Sequence, residues 1–138
     1  MNSQLTVYKA SAGSGKTFTL AREYMTLVIA NPHSYRTILA VTFTNKATEE
    51  MKTRILSQLY GIAHGLEESH GYLEQIKKAL PHLTQEQIEK NAGTALSLLI
   101  HNYNYFRVET IDTFFQSVLR NLARELDLTA NLRIGLND

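Results

Sequence analysis

Ala10-Ser11-Ala12-Gly13-Ser14-Gly15-Lys16-Thr17 is the stretch on which the reading of this chain turns. Before it, Leu5-Thr6-Val7-Tyr8-Lys9 is short and β-prone; after it a helical pattern begins at Phe18, so the segment falls at a strand-to-helix junction. Gly13 and Gly15 carry no Cβ, which lets the backbone enter positive φ and turn several N–H groups onto one anion. The unpaired N–H groups of the following helix, and the positive end of its dipole, aim at the same place. The spacing therefore predicts a phosphate-binding loop in which Ala10, Ser11, Ala12, Gly13, Ser14 and Gly15 wrap a nucleotide's phosphates. Lys16 would reach the β- and γ-phosphates and the Thr17 hydroxyl would help hold Mg²⁺. Ala10 stands where the strict pattern has glycine, a change that a turn entered at negative φ tolerates.

Size and composition bound the rest. A chain of 138 residues fits one domain and buries roughly two-thirds of its unfolded surface. Its 43% hydrophobic content and clear periodicities predict a globular fold without repeats or low-complexity segments. A formal charge of +1 does not advertise nucleic acid, so any such site must depend on local cations and stacking. Cysteine is absent, which excludes a disulfide framework and thiolate chemistry. No signal-like segment and no apolar run of about 18 residues is present, so a cytoplasmic chain without a membrane span is expected. His33, His64, His70, His82 and His101 show no close metal-type pairing and predict no metal cluster.

Along the chain, residues 17–31 place Phe18, Ala21, Met25 and Val28 on one stripe, widened by Leu20, Tyr24 and Leu27, and Asn31-Pro32 ends the helix. Thr37-Ile38-Leu39-Ala40-Val41-Thr42-Phe43 is a nearly continuous apolar run of the kind found in a strand covered on both faces, which predicts a parallel sheet. From Lys46 to about Ala63 a second helix presents Ala47, Met51, Ile55 and Leu59. Residues 64–105 are more polar, helical and interrupted by Gly65, Gly71 and Pro81, and read as a helical insertion. Within them Thr84-Gln85-Glu86-Gln87 has capping-box form ahead of Ile88, Ala92, Ala95, Leu96 and Leu99. Phe106-Arg107-Val108-Glu109-Thr110-Ile111 reads as a third strand, and Asp112 as the cap of a helix bearing Phe114, Phe115, Val118, Leu119, Leu122 and Leu126. The tail from Asp127 has no strong period, and the last ten residues are the segment most like disordered chain. Strand, helix, strand, helices, strand, helix is the alternation of an α/β fold with a parallel sheet flanked by helices, its phosphate loop at the carboxyl end of the first strand.

At the end of the second strand, Thr42-Phe43-Thr44-Asn45-Lys46-Ala47 is followed by Glu50-Met51. This string resembles motif Ia of superfamily-1 helicases of the UvrD/Rep type, and residues 10–21 resemble motif I of their RecB and AddA branch. Thr110-Ile111-Asp112-Thr113-Phe114-Phe115 with Val118-Leu119-Arg120 is similar to the next DNA-contacting motif; that branch commonly has His where Asp112 stands, so no role is carried to Asp112. The resemblance implies a RecA-like P-loop NTPase fold, ATP and Mg²⁺ as cofactors, and single-stranded or duplex-end DNA as partner. It also implies a place in DNA repair beside a nuclease subunit or exonuclease activity. The residues themselves agree: Thr44, Asn45 and the N–H groups opening the second helix make an anion-accepting edge, and Lys46 adds a point charge. Phe43 admits two readings, a ring face for a base or strand-end core packing. Thr110 and Thr113 are assigned to backbone phosphate, and Phe114 to the same groove or to the core stripe.

Hydrolysis in such enzymes needs an acidic pair after a buried strand. The nearest candidate, Glu109 with Asp112, has the wrong spacing and follows Arg107 in an interrupted run. The upstream glutamine that contacts adenine in UvrD-like proteins is not evident either, Gln4 being a weak substitute. Residues 1–138 are thus expected to be the amino-terminal portion of an incomplete helicase motor domain, inactive alone. Two rivals stay open. One is a small P-loop phosphotransferase using residues 64–105 as a lid, although that segment has no arginine to clamp a second phosphate. The other is a nucleotide-gated protein-interaction module.

Overall fold

The computed structural model describes the backbone of residues 4–7 and 15–137 and the side chains of residues 17–127. Strand β1 (Gln4–Val7), β2 (Ile38–Thr42) and β3 (Arg107–Thr110) form a parallel sheet in the order β1-β2-β3. Thr6 pairs with Ala40, Ala40 with Val108, and Thr42 with Thr110. Because side chains alternate along a strand, Ile38, Ala40 and Val108 share one face with the helices, while Leu39, Arg107 and Glu109 point to the other. The strand predicted from residue 37 to 43 stops one residue short at each end, and Phe43 belongs to a turn instead.

Helix α1 (Gly15–Ala30) buries Leu20, Ala21, Tyr24, Met25, Val28 and Ile29 in a single stripe. It ends where Asn31 turns extended, its side chain accepting a bond from the His33 N–H at 3.3 Å, and Pro32 opens a short 3₁₀ turn. Helix α2 (Asn45–Ala63) buries Ala47, Met51, Ile55, Leu59 and Ile62. Helix α3 (His70–Ala79) adds Tyr72, Leu73 and Ile76, and α4 (Gln85–His101) adds Ile88, Ala92, Ala95 and Leu99. All of these but Ala47 join Ile38, Ala40, Phe106 and Val108 in one core, so both crossovers lay their helices on the same face of the sheet. The capping box expected at α4 is present in both halves: Gln87 N–H to the Thr84 hydroxyl at 3.1 Å and Thr84 N–H to the Gln87 side chain at 2.8 Å. Gly93 does not interrupt α4; a Cβ there would meet Ala63 at 3.6 Å, an ordinary contact.

Two expectations at the carboxyl-terminal end are corrected. Helix α5 (Ile111–Asn137) begins at Ile111, so Asp112 lies in its first turn and the cap is Thr110, whose hydroxyl accepts from the Thr113 N–H at 3.2 Å. Asp112 instead places a negative charge near the positive end of the helix dipole. The helix also runs on to Asn137, 27 residues in all, through the tail read as unpatterned. A helix already nucleated gains one hydrogen bond per residue fixed, and nothing from Asp127 onward includes proline to stop it. Its apolar positions Phe115, Val118, Leu119, Leu122 and Leu126 are exposed rather than packed.

Among the described glycines, Gly61 in α2 is the most tightly hemmed in: an added Cβ would overlap the buried Ser69 hydroxyl and sit 3.0 Å from Ser69 Cβ. Gly61→Ala is expected to lower stability by about 1–2 kcal/mol, overpacking outweighing the gain in helix propensity, with recovery in Gly61→Ala/Ser69→Gly; urea unfolding reads both. Tyr24 buries its hydroxyl with no hydrogen-bond partner among the described residues, and burial holds its ionisation well above the ordinary phenol range. Tyr24→Phe should therefore leave the urea midpoint unchanged or raise it by about 1 kcal/mol equivalent. The sign with pH follows: a phenol raised by burial contributes no pH-dependent loss below about pH 10, and above it the unfolded chain ionises while the folded one does not, so stability falls as pH rises; the phenylalanine variant should show a shallower alkaline loss in the same measurement.

Candidate functional site at the carboxyl edge of the sheet

Parallel pairing brings the carboxyl ends of all three strands to one edge, and β2 and β3 each lead within two residues into the start of a helix. Between β2 and α2 the turn consists of Phe43 and Thr44. Thr44 is extended at φ −131° and ψ 156°, and its hydroxyl accepts the Ala47 N–H at 3.0 Å, leaving other first-turn N–H groups of α2 without an intrahelical partner. Thr44, Asn45 and Lys46 are all exposed. Phe43 is 46% exposed, so of its two readings the structure excludes strand-end core packing and leaves a ring face open to solvent.

The turn is held from beneath by hydroxyls. Thr42 and Thr48, both buried, stand 2.6 Å apart through their Oγ1 atoms. Both also lie within reach of the Thr44 carbonyl, at 3.3 and 3.2 Å, and Thr42 reaches the Glu109 carbonyl on β3 at 3.4 Å. One strand spacing away, about 4.8 Å, the β3–α5 junction repeats the device. Thr110, the register partner of Thr42, is buried and donates from its hydroxyl to that of Thr113 at 2.9 Å. Thr113 is exposed, and Phe114 is half-buried with its ring tilted against Phe115 at 6.0 Å. The segments 43–46 and 111–114 thus each follow one of two paired strands, Thr42 being the register partner of Thr110, at the same edge of the sheet.

Of the phosphate-loop residues, Ala10, Ser11, Ala12, Gly13 and Ser14 lie outside the described residues. Gly15 and Lys16 are described in their backbone as the first turn of α1, and Thr17 is buried at the same helix start. Val7, at the end of β1, pairs with Val41, so β1 ends at the same sheet edge as β2. Phe18 stacks on Tyr72 of α3 at 4.1 Å and 17°, and the Tyr72 hydroxyl accepts from Arg54 of α2 at 3.4 Å. A surface groove of about 520 Å³ runs from Glu49 and Glu50 past Arg54 to Tyr72 and includes none of the DNA-contact candidates.

The acidic candidate is differently engaged. Arg107 donates to one oxygen of Glu109 at 2.8 and 3.3 Å, while the second oxygen is buried without a hydrogen-bond partner among the described residues, and Asp112 is exposed on α5. A carboxylate neutralised by its own strand neighbour is poorly disposed to share a cation with Asp112. Among the described residues no group of three or more His, Asp and Glu is arranged to hold a metal, and no helix is long and apolar enough to cross a membrane.

Two features were missed in the sequence. The Thr42–Thr48 pair joins residues six apart across a strand-to-helix turn, a spacing that matches neither strand nor helix periodicity. Elsewhere, exposed Tyr105 lies 4.7 Å from the Arg36 guanidinium and exposed Tyr103 5.0 Å from the Lys52 ammonium. The aromatic cluster Tyr103-Asn104-Tyr105-Phe106 was the available signal.

Comparison with known proteins places the chain in a family. The UvrD/REP helicase N-terminal domain matches residues 1–137. The chain is 34% identical over 128 residues to an ATP-dependent helicase/nuclease subunit of Thermoanaerobacter sp. (strain X514), covering 91% of this chain and 8% of that protein. It is 31% identical over 126 residues to the RecBCD enzyme subunit RecB of Borreliella burgdorferi, covering 91% and 10%. It is 30% identical over 117 residues to the ATP-dependent DNA helicase UvrD1 of Mycobacterium leprae, covering 85% and 14%. The chain therefore spans about a tenth of the length of these relatives. No solved structure matches it. With a family match across nearly its whole length and relatives among helicase-nuclease proteins, the chain belongs to the UvrD/REP helicase N-terminal domain family.

Proposed function

We propose that residues 1–138 form the amino-terminal portion of the first motor domain, RecA-like with a helical insertion at 64–105, of an ATP-dependent DNA helicase acting in the cytoplasm. The whole protein would translocate on single-stranded DNA, entered from a duplex end, as part of a helicase-nuclease assembly engaged in DNA repair. The observation that carries this is the exposed Phe43 ring next to exposed Asn45 and Lys46 and beside Thr110 on the same sheet edge. A ring free to stack, a helix start with unpaired N–H groups and one cation together suit a phosphodiester chain read without regard to sequence. Phe114 belongs to the same edge, and the Thr44 and Thr113 hydroxyls, each accepting a bond within the protein, keep a proton to donate to a phosphate oxygen.

Nucleotide binding rests on Ala10 to Thr17. Glycines at 13 and 15, Lys16 and Thr17 are the donor set for a triphosphate with Mg²⁺, and the described start of α1 at Gly15 supplies helix N–H groups. When bound, ATP would supply the hydrolysis energy that drives the motor; Lys16 would hold its terminal phosphates and Thr17 its Mg²⁺. The isolated chain is expected neither to unwind DNA nor to hydrolyse ATP measurably.

Fluorescence anisotropy with a labelled oligothymidylate tests the DNA reading. The wild type should bind with salt-sensitive affinity; Phe43→Ala should weaken it by about 1–3 kcal/mol and Lys46→Ala should lower the salt slope by about 0.7. Binding absent at low salt, or indifferent to both substitutions, would return weight to a phosphotransferase or an interaction module. MgATP should bind the wild type and not Lys16→Ala, as read by calorimetry.

A further inference from the structure

We infer that Thr48, which lies outside the segments assigned to DNA, is a positioning residue for them: its buried hydroxyl, acting through Thr42, sets the turn that presents Phe43, Asn45 and Lys46. This rests on the reading of that edge as a single-strand site. The geometry constrains the protons. Each hydroxyl carries one, and the 2.6 Å contact between Thr42 and Thr48 uses one of the two. When Thr42 donates to Thr48, Thr48 closes onto the Thr44 carbonyl at 3.2 Å. When Thr48 donates to Thr42, the Thr42 proton is released either to the Thr44 carbonyl at 3.3 Å or across the ladder to the Glu109 carbonyl at 3.4 Å. Thr42 can therefore tie the β2–α2 turn to the strand that leads into Thr110 only while Thr48 serves as its donor.

The site is dry: Thr42 is 1% and Thr48 8% exposed, so water does not readily replace a missing partner. The Thr48 N–H also bonds the Thr44 carbonyl at 3.0 Å, so backbone and side chain of one residue converge on the peptide linking the Thr44 cap to Asn45. A serine or threonine in a helix commonly bonds back to the carbonyl four residues earlier. What is added here is the second contact, to a strand, which fixes where α2 starts relative to the sheet. Phe43, Asn45 and Lys46 lie between those two anchors and take their positions from them.

The test is a thermodynamic cycle on oligothymidylate affinity in the full chain, using Thr48→Val, Thr48→Ser, Phe43→Ala and Phe43→Ala/Thr48→Val. Valine keeps the branched shape and removes the hydroxyl. It should weaken binding roughly three- to tenfold, the range expected for one lost buried hydrogen bond, while serine stays within about twofold of wild type. In the Phe43→Ala background the same valine substitution should cost much less, because the ring it positions is gone. Equal cost in both backgrounds, valine binding as tightly as wild type, or no rescue by serine would overturn the inference. If valine does not fold, Thr48→Ala enters the cycle on the same terms. Failure of the underlying reading shows separately, as a wild-type chain that does not bind or is indifferent to Phe43→Ala and Lys46→Ala.

Discussion

β2 is paired on both sides, and that single circumstance organises the molecule. A strand with neighbours at both edges satisfies its N–H and C=O groups in the ladder, so its side chains are free to be apolar on one face without stranding a polar backbone. Ile38 and Ala40 can then sit at 4% and 2% exposure in the helix-covered core. Because both neighbours run parallel to it, every crossover must return to the same starting edge and every strand must end at the other. The end of β1, the turn after β2 and the start of α5 are brought together for that reason, although they are far apart along the chain.

The core that fixes β2 is built chiefly by α1, α2 and α4. Met51, Ile55 and Leu59 on α2 and Ile88, Ala92, Ala95 and Leu99 on α4 are fully buried, each large side chain worth about 1.5–3 kcal/mol relative to exposure. The start of α2 is thus anchored by everything below it, and the residues ahead of it inherit that rigidity. α5 packs against β3 and β2, and among its described residues Phe115, Leu119, Leu122 and Leu126 face outward. An edge supported on a packed helix on one side and a projecting helix on the other is asymmetric in stiffness.

Much of this was legible in the sequence, and what was not has specific causes. The stripes of α1, α2 and α4 follow from helical spacing, and the α4 cap from a motif that is local. The cap of α5 was misplaced because Thr110 and Asp112 are both competent, and the choice depends on where β3 stops, which the ladder with β2 decides. Spacing told that α5 has an apolar side but not whether anything lies against it. Phe43 was undecidable because an aromatic closing an apolar run suits the interior as well as the surface; only the Thr44 cap, by turning the chain at once into α2, puts the ring outside. The hydroxyl pair escaped notice because its partners meet across a junction rather than along a period. The phosphate loop stays a matter of residue chemistry, since Ala10 to Ser14 lie outside the described residues.

The chemistry of the edge also bears on how tightly it can hold a strand. Among the described residues the edge carries Lys46 as a cation, Asp112 as an opposing charge in the first turn of α5, and otherwise neutral threonines and an asparagine, with the Thr42, Thr48 and Thr110 hydroxyls engaged within the protein. One cation released against one phosphate changes affinity by a modest power of salt, about 0.7 per contact for a single strand, whereas a stacked base contributes about 1–3 kcal/mol irrespective of salt. Under the proposed reading the ring therefore carries more of the grip than the charge does. Such a contact is indifferent to base identity and depends on where the ring is held. A site of that kind holds DNA only as firmly as the protein holds Phe43, which places the control of binding in the buried hydroxyls beneath the turn rather than in the exposed residues that touch the strand.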